Sequence, residues 1–393
     1  MFMELGNVSI CVDVSFVATH CLDMSMESNT VTVSCNPQAP FNDLPLLPPR
    51  QELETSRVLK QCIRSRTVLA ELEQAGDFLP NKALLINIMP LLEARASSEI
   101  ENIVTTTDQL FRGSLLEQAT DSATKEALNY RQSLYEGFQA LQSRPLCTAL
   151  AERVCSVIKA KEMSVRKLPG TALGNDITGK VIYTPPVGEH VIRDKLSNWE
   201  RFINMPTELD PLVVMAVAHY QFEAIHPFTD GNGRTGRVLN LLYLVQSGLL
   251  SAPILYHSHG IIGRKSEYYE NLRKVTFEND WESWIIYILE VVEESAQWTN
   301  HKIRAIRELR KHTKARLKNE LPKIYSAELL DVLFHQPYCR IADVVNAGIA
   351  KRQAAAGYLK QLVEVGLLAE EKVGREKLFI HKRYLQLLLN DNS

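Results

Sequence analysis

The sequence predicts a mainly α protein: a helical bundle broken by a short β-hairpin flap, followed by a C-terminal winged helix-turn-helix domain. Three observations predict it. Apolar residues recur at helical spacing from Glu52 to Trp298. One glycine-punctuated, β-prone stretch between Val165 and Pro186 interrupts them. The last quarter reads as three short helices and two strands, and its charge has the opposite sign to the rest.

The 393 residues are long for one compact unit and suggest two or three domains. With 45% apolar and 23% charged residues, a collagen, a coiled-coil rod and a wholly disordered chain are excluded. Seven dispersed cysteines with no C-x-x-C pair read as free thiols in a reducing compartment. No apolar run is long enough for a membrane span, and no basic residue precedes the mildly apolar start as a secretory signal requires. A cytoplasmic location is expected.

Residues 1–36 carry no basic residue and no helical period, and read as a disordered extension. Pro37, Pro40, Pro45, Pro48 and Pro49 then mark an extended linker or wrapping arm, since proline lacks a backbone donor and restricts its predecessor. Residues 37–110 are read as this arm and a helical region, with helical pieces from Glu52, over Asn81–Leu92 and over Ser97–Phe111. Residues 111–300 form a second unit. Ala127–Leu141 and Thr148–Glu162 precede the flap, at about 165–184; Val191–Ile203, Pro211–Ala224, Arg237–Gly248, Tyr268–Phe277 and Trp281–Trp298 follow it. Residues 301–323 hold nine Lys or Arg and are read as a basic linking helix. Residues 324–393 form the winged-helix domain: helices Ser326–Phe334, Arg340–Ala347 and Lys351–Val365, then strands Leu367–Val373 and Lys377–His381. Residues 301–393 carry 18 basic and 10 acidic residues, against 26 and 36 in the first 300, which suggests a module with its own partner.

One segment concentrates chemistry: His226-Pro-Phe-Thr-Asp-Gly-Asn-Gly-Arg-Thr-Gly-Arg237. The apolar helix before it ends at Pro227. Gly231, Asn232 and Gly233 tolerate positive φ, so their amides can converge on an anion. A new helix begins near Arg234, its free amides and positive dipole end facing the same loop. Arg234 and Arg237 project from one face of its first turn, a pair suited to a polyphosphate. Asp230 supplies a hard oxygen for Mg²⁺ on a nucleotide. His226 lies where a general base would reach an incoming hydroxyl. An EF-hand is excluded because Leu241 occupies the twelfth position from Asp230, and a P-loop because Arg237-Val238 replaces its Lys-Ser/Thr.

These twelve residues resemble the Fic motif H-P-F-x-D-G-N-G-R-x-x-R at every defined position. The resemblance implies a Fic-type bundle and a protein adenylyltransferase, which moves AMP from ATP to a Ser, Thr or Tyr hydroxyl, including its own. In that reading His226 deprotonates the target and Asp230 holds Mg²⁺. Gly231, Asn232 and Gly233 steady the α-phosphate, Arg234 takes the β-phosphate and Arg237 the γ-phosphate. Thr235 and Gly236 belong to the same ATP-binding turn, and Phe228 locks the loop into the core. Ser97-Ser-Glu-Ile-Glu101-Asn102 resembles the inhibitory motif [S/T]-x-x-x-E-[G/N] of the class with an N-terminal inhibitory helix. Glu101 paired with Arg237 would block the γ-phosphate's partner. It is also implied, as a lesser reading, to support removal of AMP.

The flap matches the place where such proteins pair a target peptide by edge addition. Tyr268 and Tyr269 sit where the resemblance implies an adenosine site, and Tyr269 is the better match. Phe41–Pro49 and His219–Glu223 also resemble this branch, and a homodimer is what the resemblance implies. Lys351 and Arg352 open the third helix of the C-terminal module, where a recognition helix meets bases. From Ile324 on, however, nine basic and eight acidic residues make the module nearly neutral, so DNA has weak support and a protein partner fits equally. Two alternatives stand beside the transferase: an ATP-sensing transcriptional regulator, and a Fic enzyme with de-AMPylating or other nucleotidyl-transfer activity.

Overall fold

A buried helix organises the molecule. Pro211–Ile225 is largely apolar, and 13 of its 15 residues are buried; such a helix is stable only inside a shell of others. The computed structural model describes residues 35–77, 83–115, 121–174, 180–373 and 376–389. Of the expected N-terminal extension, residues 1–34 lie outside these. In chain order the elements are α1 (Ser56–Asp77), α2 (Ala83–Ile100), α3 (Thr107–Leu115), α4 (Ser122–Ala140), α5 (Thr148–Lys159), β1 (Leu173–Gly174), β2 (Val181–Tyr183), α6 (Glu189–Asn204), α7 (Pro211–Ile225), α8 (Asn232–Gln246), α9 (His257–Gly263), α10 (Lys265–Glu278) and α11 (Trp281–Glu320). A C-terminal group follows: α12 (Ala327–His335), β3 (Tyr338–Cys339), α13 (Ile341–Asn346), α14 (Arg352–Glu364), β4 (Ala369–Val373), β5 (Glu376–Ile380) and α15 (Lys382–Leu389).

The central helix α7 starts on Asp210, whose carboxylate accepts from Leu212 N at 2.8 Å, with Pro211 pre-set for the first turn. Helices α6, α8 and α11 pack around it. Two indoles fix it in place: Trp199 Nε1 donates to Ala218 O at 3.0 Å and Trp284 Nε1 to Ala216 O at 2.7 Å. The proline-rich arm wraps this core. Phe41, Leu44 and Leu47 are buried, Lys195 donates to Leu44 O, and Asn198 both accepts from Leu47 N and donates to Leu47 O. The flap is a minimal antiparallel pair with Leu173 opposite Tyr183 and Gly174 opposite Val181.

Three expectations need correcting. Residues 81–92 and 97–111 are not two helices: α2 runs through Pro90 to Ile100 and α3 begins only at Thr107. Asn102, in the left-handed region at φ 61°, breaks the chain between them, so Ser97 lies in a last turn and not at a helix start. The basic stretch from residue 301 is not a separate linking helix. It continues α11 without a break, because Ile303, Ile306, Thr313 and Leu317 carry the buried stripe onward beneath the charges. The C-terminal sheet has three strands, in the order β3–β5–β4, not two. Tyr338 and Cys339 pair with Ile380 and Phe379, a segment too short to show a period of two. Among the described residues no helix is long and apolar enough to cross a membrane.

Candidate active site

The loop between α7 and α8 is built by opposed helix ends. His226 ends α7 in the left-handed conformation, φ 49° and ψ 60°, so the break comes one residue before Pro227. Helix α8 starts at Asn232, two residues earlier than expected, with Gly231 as N-cap at φ 82°. The anticipated run of positive-φ residues therefore reduces to Gly231. The amides available to an anion are those of the first turn of α8, which lack intrahelical partners and lie at its positive end.

Asn232 spends its side chain locally: it accepts from Phe228 N and donates to Phe228 O, both at 2.8 Å. This ties the loop across its width, and Phe228, fully buried against Phe222, anchors it. Gly236 allows α8 to approach α7 closely, since a Cβ there would stand 2.5 Å from Glu223 Oε1. Gly236 thus faces the α7–α8 contact, whereas Thr235, fully buried, meets Cys155 of α5. Tyr269 lies on α10, 46% exposed, edge-on to the buried Tyr268.

His226 is held by a residue that sequence reasoning missed. Arg166 is 4% exposed; its Nε donates to His226 O at 2.8 Å, Nη2 reaches Pro186 O and Ile225 O, and its own amide donates to Pro227 O. The guanidinium therefore caps the C-terminal end of α7 and fixes the hinge on which the imidazole hangs. Burial, with the Arg166 charge second, lowers the His226 pKa to about 4, so the ring is neutral at physiological pH. Its Nδ1 is buried without a hydrogen-bond partner.

The two arginines of α8 are buried, at 2% and 1% exposure, and face different acids. Arg237 donates from Nε to Ser97 Oγ and from Nη2 to Ser97 O and Glu101 Oε1, each at 2.8 Å. Gly233 makes room for this carboxylate, since a Cβ at 233 would lie 2.3 Å from Glu101 Oε1. Burial raises the Glu101 pKa, but the attraction of Arg237, helped by Arg234, outweighs it and keeps the group ionised. Helix α2 is pinned behind it by Glu93, which accepts from Ser258 N, Ser258 Oγ and Tyr130 OH. Arg234 donates to Glu126 Oε1 on α4 at 2.5 Å. That carboxylate also takes Lys159 Nζ at 2.7 Å, and Lys159 Nζ lies 2.6 Å from Asp230 Oδ2. Glu126, Lys159 and Arg166 were invisible in the sequence, because each meets the loop across 60 to 108 residues of chain with no local spacing to mark it.

Among the described residues no three His, Cys, Asp or Glu side chains converge as a self-sufficient metal site. The lone, half-exposed Asp230 carboxylate at the lip nevertheless suits Mg²⁺, which binds through one or two carboxylates while phosphates and water complete its shell.

Three family models match successive parts of the chain: "Fic/DOC family N-terminal" over 59–139, "Fic/DOC family" over 153–244, and "Protein adenylyltransferase SoFic-like, C-terminal domain" over 309–384. The chain is 32% identical over 117 residues to the protein adenylyltransferase fic-1 of Caenorhabditis briggsae, which covers 29% of this chain and 22% of that protein. It is 32% identical over 102 residues to the protein adenylyltransferase Fic of Drosophila sechellia, covering 25% and 19%. It thus spans about a fifth of the length of these curated relatives. In fold it is similar to a crystallised Fic family protein of Desulfovibrio desulfuricans, with a TM-score of 0.51, 15% identity, and coverage of 84% of this chain and 97% of the other. With the loop motif inside the second match, the chain carries in order a Fic/DOC-family N-terminal domain, a Fic/DOC-family domain and a SoFic-like C-terminal domain.

Proposed function

We propose that the protein is an adenylyltransferase that moves AMP from ATP to a Ser, Thr or Tyr hydroxyl of a protein, itself included, and that Glu101 restrains it. The observation that carries this reading is the convergence of a neutral imidazole and two buried guanidiniums on the free N-terminus of α8.

His226 takes the proton of the target hydroxyl, and the freed oxygen attacks the α-phosphorus in line. The bond from that phosphorus to the bridging oxygen of the β-phosphate breaks, and diphosphate leaves with the electron pair. Negative charge grows on the leaving oxygens, where Arg234 and the first-turn amides of α8 stabilise it. Mg²⁺ held by Asp230 would add charge neutralisation of the phosphates. Arg237 would hold the γ-phosphate, and in the structure Glu101 occupies it. Restraint follows from that competition: a triphosphate can settle against Arg237 only by displacing a carboxylate already in contact. The flap strand β2 offers backbone to a target segment in extended form.

The test is transfer from labelled ATP to the protein itself, with the product identified by mass. Glu101→Gly should label more than the unmodified chain, and His226→Ala in that background should abolish labelling while retaining ATP. A product mass other than that of AMP would assign a different transferred group.

For the C-terminal group we propose a winged-helix binding module. Lys351, Arg352 and Gln353 are exposed where α14 begins, the end such modules direct at a partner. A gel shift with genomic fragments at stated salt, repeated with Arg352→Ala, decides whether nucleic acid is that partner.

A further inference from the structure

Arg234, Glu126, Lys159 and Asp230 form a closed ring of alternating charge. Arg234 Nη1 meets Glu126 Oε1 at 2.5 Å, Glu126 Oε1 meets Lys159 Nζ at 2.7 Å, Lys159 Nζ meets Asp230 Oδ2 at 2.6 Å, and Arg234 Nη2 returns to Asp230 Oδ1 at 3.7 Å. The ring carries no net charge and joins α4, α5, the loop and α8. Its members differ in access. Arg234 is sealed at 2% exposure and Lys159 nearly so at 15%, whereas Asp230 stands 54% open at the lip.

Lys159 reaches this place by construction. It is the last residue of α5, which ends on Ala160 in the left-handed conformation. Its stem then lies over the loop: a Cβ at position 231 would stand 3.3 Å from Lys159 Cδ and 3.4 Å from Lys159 Cγ. Gly231 therefore serves two ends, the positive φ of the N-cap and a channel for the lysine. Without a side chain at 231, an ammonium group is delivered to the more open of the ring's two carboxylates.

We propose that Lys159 is the resident counter-cation of Asp230, holding that carboxylate in position until a metal-bound nucleotide takes it over. The proposal rests on the reading of the loop as a nucleotide site. An ammonium in contact with Asp230 and a divalent cation on the same carboxylate repel each other strongly at such range. The lysine has a second anchor, because Glu126 stays in reach when Asp230 changes partner. Lys159 is thus a positioning residue: with no metal it completes the charge of the lip, and with metal it gives way.

The test compares ATP affinity in EDTA and in Mg²⁺ by calorimetry on the full chain, expressed as the ratio of the two dissociation constants. Lys159→Met should weaken ATP binding in EDTA and raise the ratio at least about tenfold, the scale of removing one close cation from a metal site. Lys159→Arg, which keeps the charge, should restore the ratio toward that of the unmodified protein. Asp230→Asn should collapse the ratio toward unity. A ratio unchanged or lowered in Lys159→Met, with the collapse in Asp230→Asn intact, overturns the exchange alone. A ratio that survives in Asp230→Asn instead overturns the assignment of metal to Asp230 and takes the exchange with it. If Lys159→Met does not fold, Glu126→Gln serves, because it leaves the lysine to Asp230 alone. The ratio should then fall several-fold, and a rise overturns the proposal.

Discussion

The loop of α7 and α8 and the junction of the C-terminal group are both held by arginine–carboxylate pairs, yet the pairs do different work. At the loop Arg234 and Arg237 are sealed, and each meets an acid that is itself partly open. At the junction Arg112 is 24% exposed and grips Glu371 with both ends of its fork at 2.8 Å, beside Asp108 and over the Tyr338 ring. A buried guanidinium that loses its acid is left uncompensated, whereas an exposed one is rehydrated. The loop therefore holds cations that need an anion and have only a replaceable one. The junction holds ordinary attachments.

The sharpest way to break this contrast is His226→Ala, which should lower AMP transfer about 10²- to 10⁴-fold, the usual range for a lost general base, with ATP affinity nearly unchanged by calorimetry. Retained transfer would move the base elsewhere. Next comes Glu101→Gly: self-labelling should rise while stability falls by about 3 kcal/mol, the low end for a broken buried pair since Glu101 is partly open, because Arg237 keeps only Ser97. A variant that gains neither activity nor instability would make this pair equivalent to a surface one.

The pH dependence sharpens the comparison further. With the His226 pKa at about 4, transfer should hold down to pH 5 and lose half its rate near pH 4; a midpoint near 6.5 would mean an exposed imidazole. Stability has a related sign. His226 and His257, the latter lowered by burial to about 3, refuse protons that the unfolded chain accepts, so their contribution fades as pH drops below 6.5. Glu223, raised by burial to about 8, opposes this, favouring the folded state at low pH and losing that advantage as pH climbs to 8. Glu223→Gln should flatten the second slope in pH-resolved melting curves. The smallest effect is expected at the junction: Arg112→Ala should cost about 1 kcal/mol in denaturant unfolding and leave labelling unchanged.

Much of the site was legible because its residues are contiguous. Twelve neighbours hold His226, Asp230, the glycines and both arginines, and a hexapeptide marks Glu101. The contact between Glu101 and Arg237 could be expected only through family resemblance, since 136 residues separate them. The helices of the bundle were legible where amphipathic periodicity is strong, and less so at their ends, which depend on single left-handed residues such as Asn102 and His226. The start of α8 was misplaced because a glycine in a turn and a glycine capping a helix look alike in a string. Arg166 and Lys159 had no pattern to betray them. What marks them is the space other residues leave, and only packing supplies that.

Helix α11 has 40 residues, so it is a rod about 60 Å long. Trp284 near one end grips the central helix, and past the midpoint Lys302 Nζ reaches Leu387 O of α15 while Arg310, about two turns further on, meets Asp331 of α12. The two halves are beads on a shared axle, not on a string. Cutting the gene at residue 300 to isolate the half that carries the loop would saw through that axle, bare Ile303 and Ile306 on the discarded piece, and strip the stump of its bearing.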